Sequence, residues 1–426
     1  MDHLIDLRRE LHRHPEPAWR EFYTTGRITE ELERIGIDEV LLGRAIHDED
    51  RRKAVPDTEE IARWRERAEE LGVPGSLLDR MDEGYTGAIG LLERGPGPTV
   101  ALRVDIDGLE RTESREPDHR PASEGFRSER DGMMHACGHD VHATIGVGVL
   151  ERMAETEFEG TLKVLFQPGE EKGAGALPMA HSGHLDDVDY LVAIHVGMGY
   201  PTGTVVPAVD SFFAVSDARV EFAGEGAHAG SDPDAGRNAV RAMATATEKL
   251  HGLPRHSDSA TRVNVAPVGG GTATNVIPES AFMEFEVRSD GNDGLEHMED
   301  RAERVVESSA DLYDCEVDVE WKTRLPSATC DEAVADVVES VAHRTDTVDT
   351  IETADEPDGS EDATILMEYV RNNGGKAAYV GIGSDHPGGH HTPLFDVDEE
   401  VIPIGVTVLE RTIGELASRR DDDHRR

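Results

Sequence analysis

Four short apolar runs in this 426-residue chain each end in side chains that can do chemistry. Thr99–Val104 runs into Asp105-Ile106-Asp107. Leu162–Phe166 runs into Gln167-Pro168-Gly169-Glu170-Glu171. Tyr190–Ile194 ends in His195, and Ala377–Gly381 leads to a loop with Asp385-His386 and Gly389-His390-His391. This repetition restricts the fold more than any other feature. Open α/β sheets place their sites at the carboxyl ends of their strands, so the pattern predicts an α/β domain with one such edge. Alternation along an extended segment sends the adjacent Glu170 and Glu171 to opposite sides, which predicts two different jobs. A histidine after an apolar strand is ordinarily a packed one. His195 stands at the same kind of strand end as Asp107 and Glu170, and reads as a ligand.

Between the first two runs lies His135-Ala136-Cys137-Gly138-His139-Asp140-Val141-His142. Three imidazoles, a thiol and a carboxylate within one stretch suit a transition metal better than calcium or magnesium. Cys137 and His139 are two apart, so on an extended segment they share a side. Gly138 lets the backbone bend close to an ion, and Thr144–Leu150 reads as a buried helix behind them. The competing reading is a redox or merely buried cysteine among surface histidines. It is the weaker one, because Glu170-Glu171 and the isolated histidines can complete a coordination shell.

The remaining elements give the domain plan. Helices are predicted over 2–13, with Leu4, Leu7 and Leu11 on one face, and over 24–35. Residues 43–84 read as a charged, solvated insertion with a helix at 57–72. From residue 211 the pattern changes: a strand at Val220-Glu221-Phe222, a helix over 236–250, strands at 262–265 and 282–288, a helix over 293–312 and a strand at 316–320. The order βαββαβ is ferredoxin-like. The expected domains are therefore 1–210, an inserted α+β domain 211–325, and 326–426, in which the α/β pattern resumes with helices at 331–343 and 361–371. Gly269-Gly270-Gly271 is no dinucleotide fingerprint. A last helix carries Val406, Leu409, Ile413 and Leu416, followed by a charged, frayed tail from Arg419 to Arg426.

Charge decides the excluded classes. Against 88 acidic residues stand 43 basic ones, a net charge of −45. Nucleic acid is not the partner of such a surface. Self-repulsion is relieved by salt, the Debye length falling from ~10 Å at 0.1 M to ~3 Å at 1 M, which predicts a salt-adapted (halophilic) protein. Three cysteines make no disulfide framework. The N-terminus has no apolar signal core, and no stretch approaches a membrane span. The expected location is the cytoplasm, with no membrane partner.

Seven motifs, in order, resemble those of one family: His135 to His142, Gln167-Pro-Gly-Glu-Glu171, Ile194-His195-Val196, Ala227-His-Ala-Gly230, Asn275-Val-Ile-Pro278, Ser360-Glu-Asp362 and His391-Thr-Pro393. They look like the metal-dependent amidohydrolases related to aminoacylases, hippurate hydrolases and glutamate carboxypeptidases, from Arg9 to Glu399. The long insertion before Gly84, Met133-Met134, and Gly236-Arg237-Asn238-Ala239 are most similar to the branch that cleaves aminobenzoyl-glutamate. The resemblance implies a catalytic domain with a mixed sheet and an inserted lid domain used for dimerisation. It implies two divalent metals, manganese or zinc, on Cys137, His139, Glu171, His195 and His391, with His390 as the competitor of His391. It makes Glu170 the general base and sets Asp107 behind the metals. On the lid it brings His228 to the oxyanion, and Asn275 and Arg288 to the substrate's carboxylate. Gly169 stands where relatives often have alanine, and Asp105 receives no role.

The implied reaction is hydrolysis of a small-molecule N-acyl amino acid, with N-aroyl glutamate such as p-aminobenzoyl-glutamate favoured over a general aminoacylase or peptidase substrate. The implied assembly is a homodimer, or a hetero-oligomer with a related chain. Two other classes stay open at this level: a cysteine hydrolase using Cys137 with a nearby histidine, and a partner subunit without catalysis of its own. The Pro-Cys-x-x-Cys of a nucleobase deaminase is missing.

Overall fold

The structure, a computed structural model, describes all residues except 211, 255, 354–358 and 420–426, so the expected tail lies outside the described residues after Arg419. In chain order the elements are α1 (Asp2–Arg13), α2 (Phe22–Ile35), β1 (Glu39–Leu42), α3 (Thr58–Glu70), α4 (Gly75–Leu78), β2 (Ala88–Glu93), β3 (Thr99–Asp105), α5 (Arg120–Glu124), α6 (His139–Glu155), β4 (Thr161–Gln167), α7 (Ala176–Ala180), β5 (Tyr190–Val196) and β6 (Thr204–Val206). There follow β7 (Ala214–Ala223), α8 (Ala239–His251), β8 (Arg262–Gly270), β9 (Ser280–Ser289), α9 (Asn292–Asp311) and β10 (Glu316–Leu325). The chain closes with α10 (Glu332–Ala342), β11 (Thr350–Ile351), α11 (Ala363–Asn372), β12 (Lys376–Ile382) and α12 (Val401–Ala417).

Two compact units result. The first comprises Met1–Asp210, Thr329–Asp355 and Asp362–Arg426; the second comprises Ser211–Ala328 with Glu356–Glu361. The first holds an eight-stranded mixed sheet in the order β1-β2-β4-β3-β5-β12-β6-β11. Its centre, β4-β3-β5-β12, is parallel. Those strands are almost wholly buried, as parallel strands covered on both faces must be. Helix α6 is buried nearly along its whole length and packs on α1, α12 and β3, which explains its apolar composition. The second unit is an antiparallel sheet in the order β10-β7-β9-β8. Its βαββαβ order and strand sequence are those of a ferredoxin-like layer. Val220, Phe222, Met283 and Phe285 of the sheet form its core with Ala242, Ala246, Leu295 and Met298 of the helices. Among the described residues no helix is long and apolar enough to cross a membrane.

Residues 43–84, expected as a solvated insertion, carry packing of their own. Ile61, Trp64, Ala68, Val73, Leu78 and Met81 make a small apolar core with Phe22, Tyr23 and Met133. The charged composition hid it, because α3 buries only one residue per turn and exposes the rest.

Helix α1 carries charge into the interior. Its leucines at 4, 7 and 11 are buried, and so are Arg8 and His12. His12 lies between two buried carboxylates, Nδ1 at 2.8 Å from Asp140 Oδ2 and Nε2 at 3.0 Å from Glu113 Oε1. Both nitrogens therefore donate, which requires the imidazolium. Burial and Arg8 oppose that charge, but the hydrogen bonds to Asp140 and Glu113 outweigh them and raise His12 to about 9. A raised histidine stabilises fully below its unfolded value of 6.5 and loses that contribution as pH rises through about 9. Urea unfolding from pH 6.5 to 9.5 should show a loss of up to about 3 kcal/mol, at ~1.4 kcal/mol for each pH unit separating the folded and unfolded values. His12→Gln should flatten the slope; an unchanged slope in that variant would remove His12 as its cause.

Candidate active site

Parallel pairing puts the carboxyl ends of β3, β4, β5 and β12 along one edge, with Asp105 opposite Gln167 and His195 opposite Gly381. Strand β3 is flanked by β4 on one side and β5 on the other, so the order reverses there and opens a crevice.

Two glycines shape what reaches that edge. Gly138 has φ +86°, and a Cβ there would approach Val196 Cγ2 to 2.7 Å. Only glycine combines that backbone with that closeness. It closes a bend over 136–138, and α6 begins at His139. The predicted extended segment through Cys137 and His139 is thus corrected: a left-handed turn into a helix, not strand alternation, brings them together. Gly169, with φ +66°, opens a 3₁₀ turn over Glu170–Lys172. Strand alternation therefore does not separate Glu170 from Glu171 either, because β4 has ended at Gln167.

The donors then converge. Cys137 Sγ lies 3.3 Å from His195 Nε2. His195 Nδ1 donates to the Val196 carbonyl at 2.8 Å. His139 Nδ1 donates to the Asp107 carbonyl at 3.0 Å and to Asp107 Oδ1 at 3.2 Å. These bonds put a proton on Nδ1 of both rings and turn each Nε2 inward, the orientation of metal-binding histidines. His139 Nε2 is buried without a hydrogen-bond partner, 3.8 Å from a carboxylate oxygen of each of Glu170 and Glu171. His391 Nε2 lies 3.7 Å from Glu171 Oε2. The donor atoms of Cys137, His139 and His195 lie within 4.8 Å of one another, and so do those of Cys137, Glu171 and His391. Cys137 is common to both groups. His390 instead points Nε2 at the Val196 carbonyl, 3.3 Å away, and burial pushes it down to about 4.

The electrostatics fit a cation. Burial, with Glu171 and Asp105 nearby, raises the Cys137 thiol to about 12. Burial and neighbouring His142 depress His195 well below the usual range. A thiol pushed that high is not the thiolate of a cysteine nucleophile. Two sets of three donors, with a buried unpartnered imidazole nitrogen, do fit divalent metal.

Of the supports behind these donors, sequence reasoning named Asp107 and missed the rest. Asp105 is buried, accepts from His142 Nδ1 at 2.5 Å and pairs with Arg103 Nη1 at 2.8 Å. Burial opposes its charge, but His139, His142 and Arg103 outweigh it and hold it well below the carboxylate range. His142 Nε2 accepts from Val196 N at 2.8 Å, tying α6 to the end of β5. Arg103 also donates to Gln167 at 2.8 Å and Asp362 at 3.0 Å. The signal was present: an arginine inside an apolar strand must have buried partners. Asp107 accepts from Glu170 N at 3.2 Å and Glu171 N at 3.1 Å, besides holding His139.

The other three predicted residues lie in the second unit. His228 is exposed, and its Nδ1 accepts from the amides of Gly230 at 3.1 Å and Ser231 at 3.0 Å. Its Nε2 therefore carries a proton outward. Ala229 N donates to the Asn275 carbonyl at 2.9 Å, which sets His228 beside the Asn275 segment. Arg288 makes a forked pair with Glu286, at 2.5 and 2.8 Å.

An α/β unit with this edge of donors and a ferredoxin-like second unit define a metallopeptidase-like hydrolase architecture. Residues 101–415 match peptidase family M20/M25/M40, and the chain belongs to that family. It is 39% identical over 417 residues to one chain of the p-aminobenzoyl-glutamate hydrolase of Escherichia coli, covering 96% of this chain and 94% of that one. It is 40% identical over 414 residues to the indole-3-acetyl-aspartic acid hydrolase of Enterobacter agglomerans, with the same coverage. A solved Bacillus subtilis structure, described as a dinuclear metal binding peptidase of the M20 family, superposes with a TM-score of 0.71 at 26% identity, covering 98% of each chain.

Proposed function

We propose that this protein hydrolyses the amide bond of N-acyl amino acids, with an aromatic acyl group on an acidic amino acid as its substrate class and p-aminobenzoyl-glutamate as the favoured member. The observation that carries the reading is the pair of three-donor groups sharing Cys137, beside Glu170. The named substrates of the two relatives, an aminobenzoyl-glutamate and an indoleacetyl-aspartate, supply the substrate class.

Cys137, His139 and His195 would hold one divalent cation, and Cys137, Glu171 and His391 a second, manganese or zinc. Such ions supply a polarised carbonyl and an acidified water. The chain's own residues do the rest. Glu170 takes the proton of the attacking water as its oxygen adds to the amide carbon, and passes that proton to the leaving nitrogen as the carbon–nitrogen bond breaks. Asp107 orients His139 and the two glutamates. His228 donates its Nε2–H to the developing oxyanion, and Asn275 and Arg288 meet the substrate carboxylate. His228→Ala should leave the metal content unchanged while kcat falls by about 10²-fold; an unchanged kcat/KM would remove it from the site.

The assembly is a dimer through the second domain, or a complex with a related chain, since the Escherichia coli relative is named as one subunit of its hydrolase. The setting is a salt-rich cytoplasm, which the −45 charge supports. Turnover of p-aminobenzoyl-glutamate, indoleacetyl-aspartate and N-acetyl amino acids by the purified chain, in molar and in low salt, tests the proposal. Activity abolished by chelator and restored by Mn²⁺ or Zn²⁺ is expected. Chelator-resistant turnover, or none with any N-acyl amino acid by the metal-loaded chain either alone or with that related chain, would overturn it.

A further inference from the structure

The turn that carries Glu170 is held by more than Asp107. Gly169 in the left-handed region and the 3₁₀ turn after it present three successive backbone N–H groups to carboxylates, as anion-binding turns do. Here two side chains of the protein fill it. Asp107 takes the amides of Glu170 and Glu171. Glu21 takes the third: its Oε1 accepts from Gly169 N at 2.8 Å. Its other oxygen is hydrogen-bonded to the Thr86 hydroxyl at 2.6 Å. Glu21 is fully buried and stands at the first position before α2, without a side-chain bond to that helix, so it belongs to an element that contributes no predicted ligand.

We infer that Glu21 is a positioning residue, which fixes the Gly169 turn and through it the carboxylate of Glu170. The inference rests on the reading of Glu170 as general base. The chemistry of the contact limits which side chains can serve. Both contacts on Glu21 come from donors, the Gly169 amide and the Thr86 hydroxyl. Glutamine keeps the acceptor toward Gly169 N, and the Thr86 hydroxyl, able both to donate and to accept, turns to accept from its amide. Alanine has neither, and leaves a buried amide unpaired in the turn.

The test is kcat, KM and metal content of the metal-loaded enzyme with p-aminobenzoyl-glutamate. Glu21→Ala is expected to lower kcat by about 10- to 100-fold, the scale of a misplaced catalytic group. KM and metal content should stay within about twofold, and Glu21→Gln should restore most of the rate. In the Glu170→Gln background Glu21→Ala should add little, because the group it positions can no longer take a proton. If Glu21→Ala does not fold, Thr86→Val removes the hydroxyl partner alone and should lower kcat about 3- to 10-fold. Full activity of the folded Glu21→Ala enzyme, failure of glutamine to rescue, or an undiminished loss in the Glu170→Gln background would each overturn the inference while leaving a slow Glu170→Gln enzyme intact. A fully active Glu170→Gln enzyme would overturn the base reading and this inference with it.

Discussion

Glu170→Gln is expected to bind metal and substrate almost normally and to turn over ~10²–10⁴-fold more slowly, a barrier increase of roughly 3–5 kcal/mol. Glutamine keeps the size and part of the hydrogen bonding but cannot accept a proton from water. Glu171→Gln should behave differently. Glu171 shares its donor group with Cys137 and His391, so that variant should be metal-poor, and added Mn²⁺ or Zn²⁺ should recover part of its activity. The measurement is metal content by elemental analysis beside kcat for both. The reverse pattern, with Glu170→Gln poor in metal and Glu171→Gln replete but slow, would exchange the two roles. Two fully active variants would reduce the pair to an acidic turn. No pattern in the sequence separates these neighbours: both share a donor group with His139, and Glu171 alone of the two also shares one with Cys137 and His391.

Arg8→Met should cost about 3–5 kcal/mol of folding stability, the range for removing one partner of a buried ion pair. The guanidinium is fully buried. It reaches Asp140 at 2.9 Å, Asp396 at 2.8 Å and Glu399 at 3.3 Å. Methionine fills much of the volume but leaves those carboxylates facing less positive charge. Arg120 still pairs with Asp396, Arg9 with Glu399 and His12 with Asp140, which places the loss toward the lower end of the range. Urea unfolding at neutral pH gives the number. The deficit should narrow as pH falls, because protonation neutralises the stranded carboxylates. A deficit independent of pH would assign the effect to packing. Helix α1 would then be held chiefly by Leu4, Leu7 and Leu11, each worth ~1.5–3 kcal/mol when buried.

The local pattern of the chain determined a good deal. Apolar runs ending in Asp107, Glu170, His195 and the His390-His391 loop announced an α/β edge, because a buried strand must be apolar and its exit is where polar chemistry can begin. The βαββαβ order of residues 211–325 was legible for the same reason: helix and strand periodicities differ along the chain itself. Backbone sign was not legible. Gly138 and Gly169 could have been ordinary loop glycines, and only their left-handed conformations turn Cys137 toward His139 and take Glu170 and Glu171 off the strand. The partners of buried charge were hidden too. Arg8 meets Asp140, Asp396 and Glu399, all remote from it along the chain, and Arg103 meets Asp362. Asp105 had no visible role until His142 and Arg103 stood beside it. Covalent order fixes which side chains are available and with what periodicity; the choice between His390 and His391, or the capture of Gly169 by Glu21, depends on distances of a few ångströms that arise only when separate elements pack.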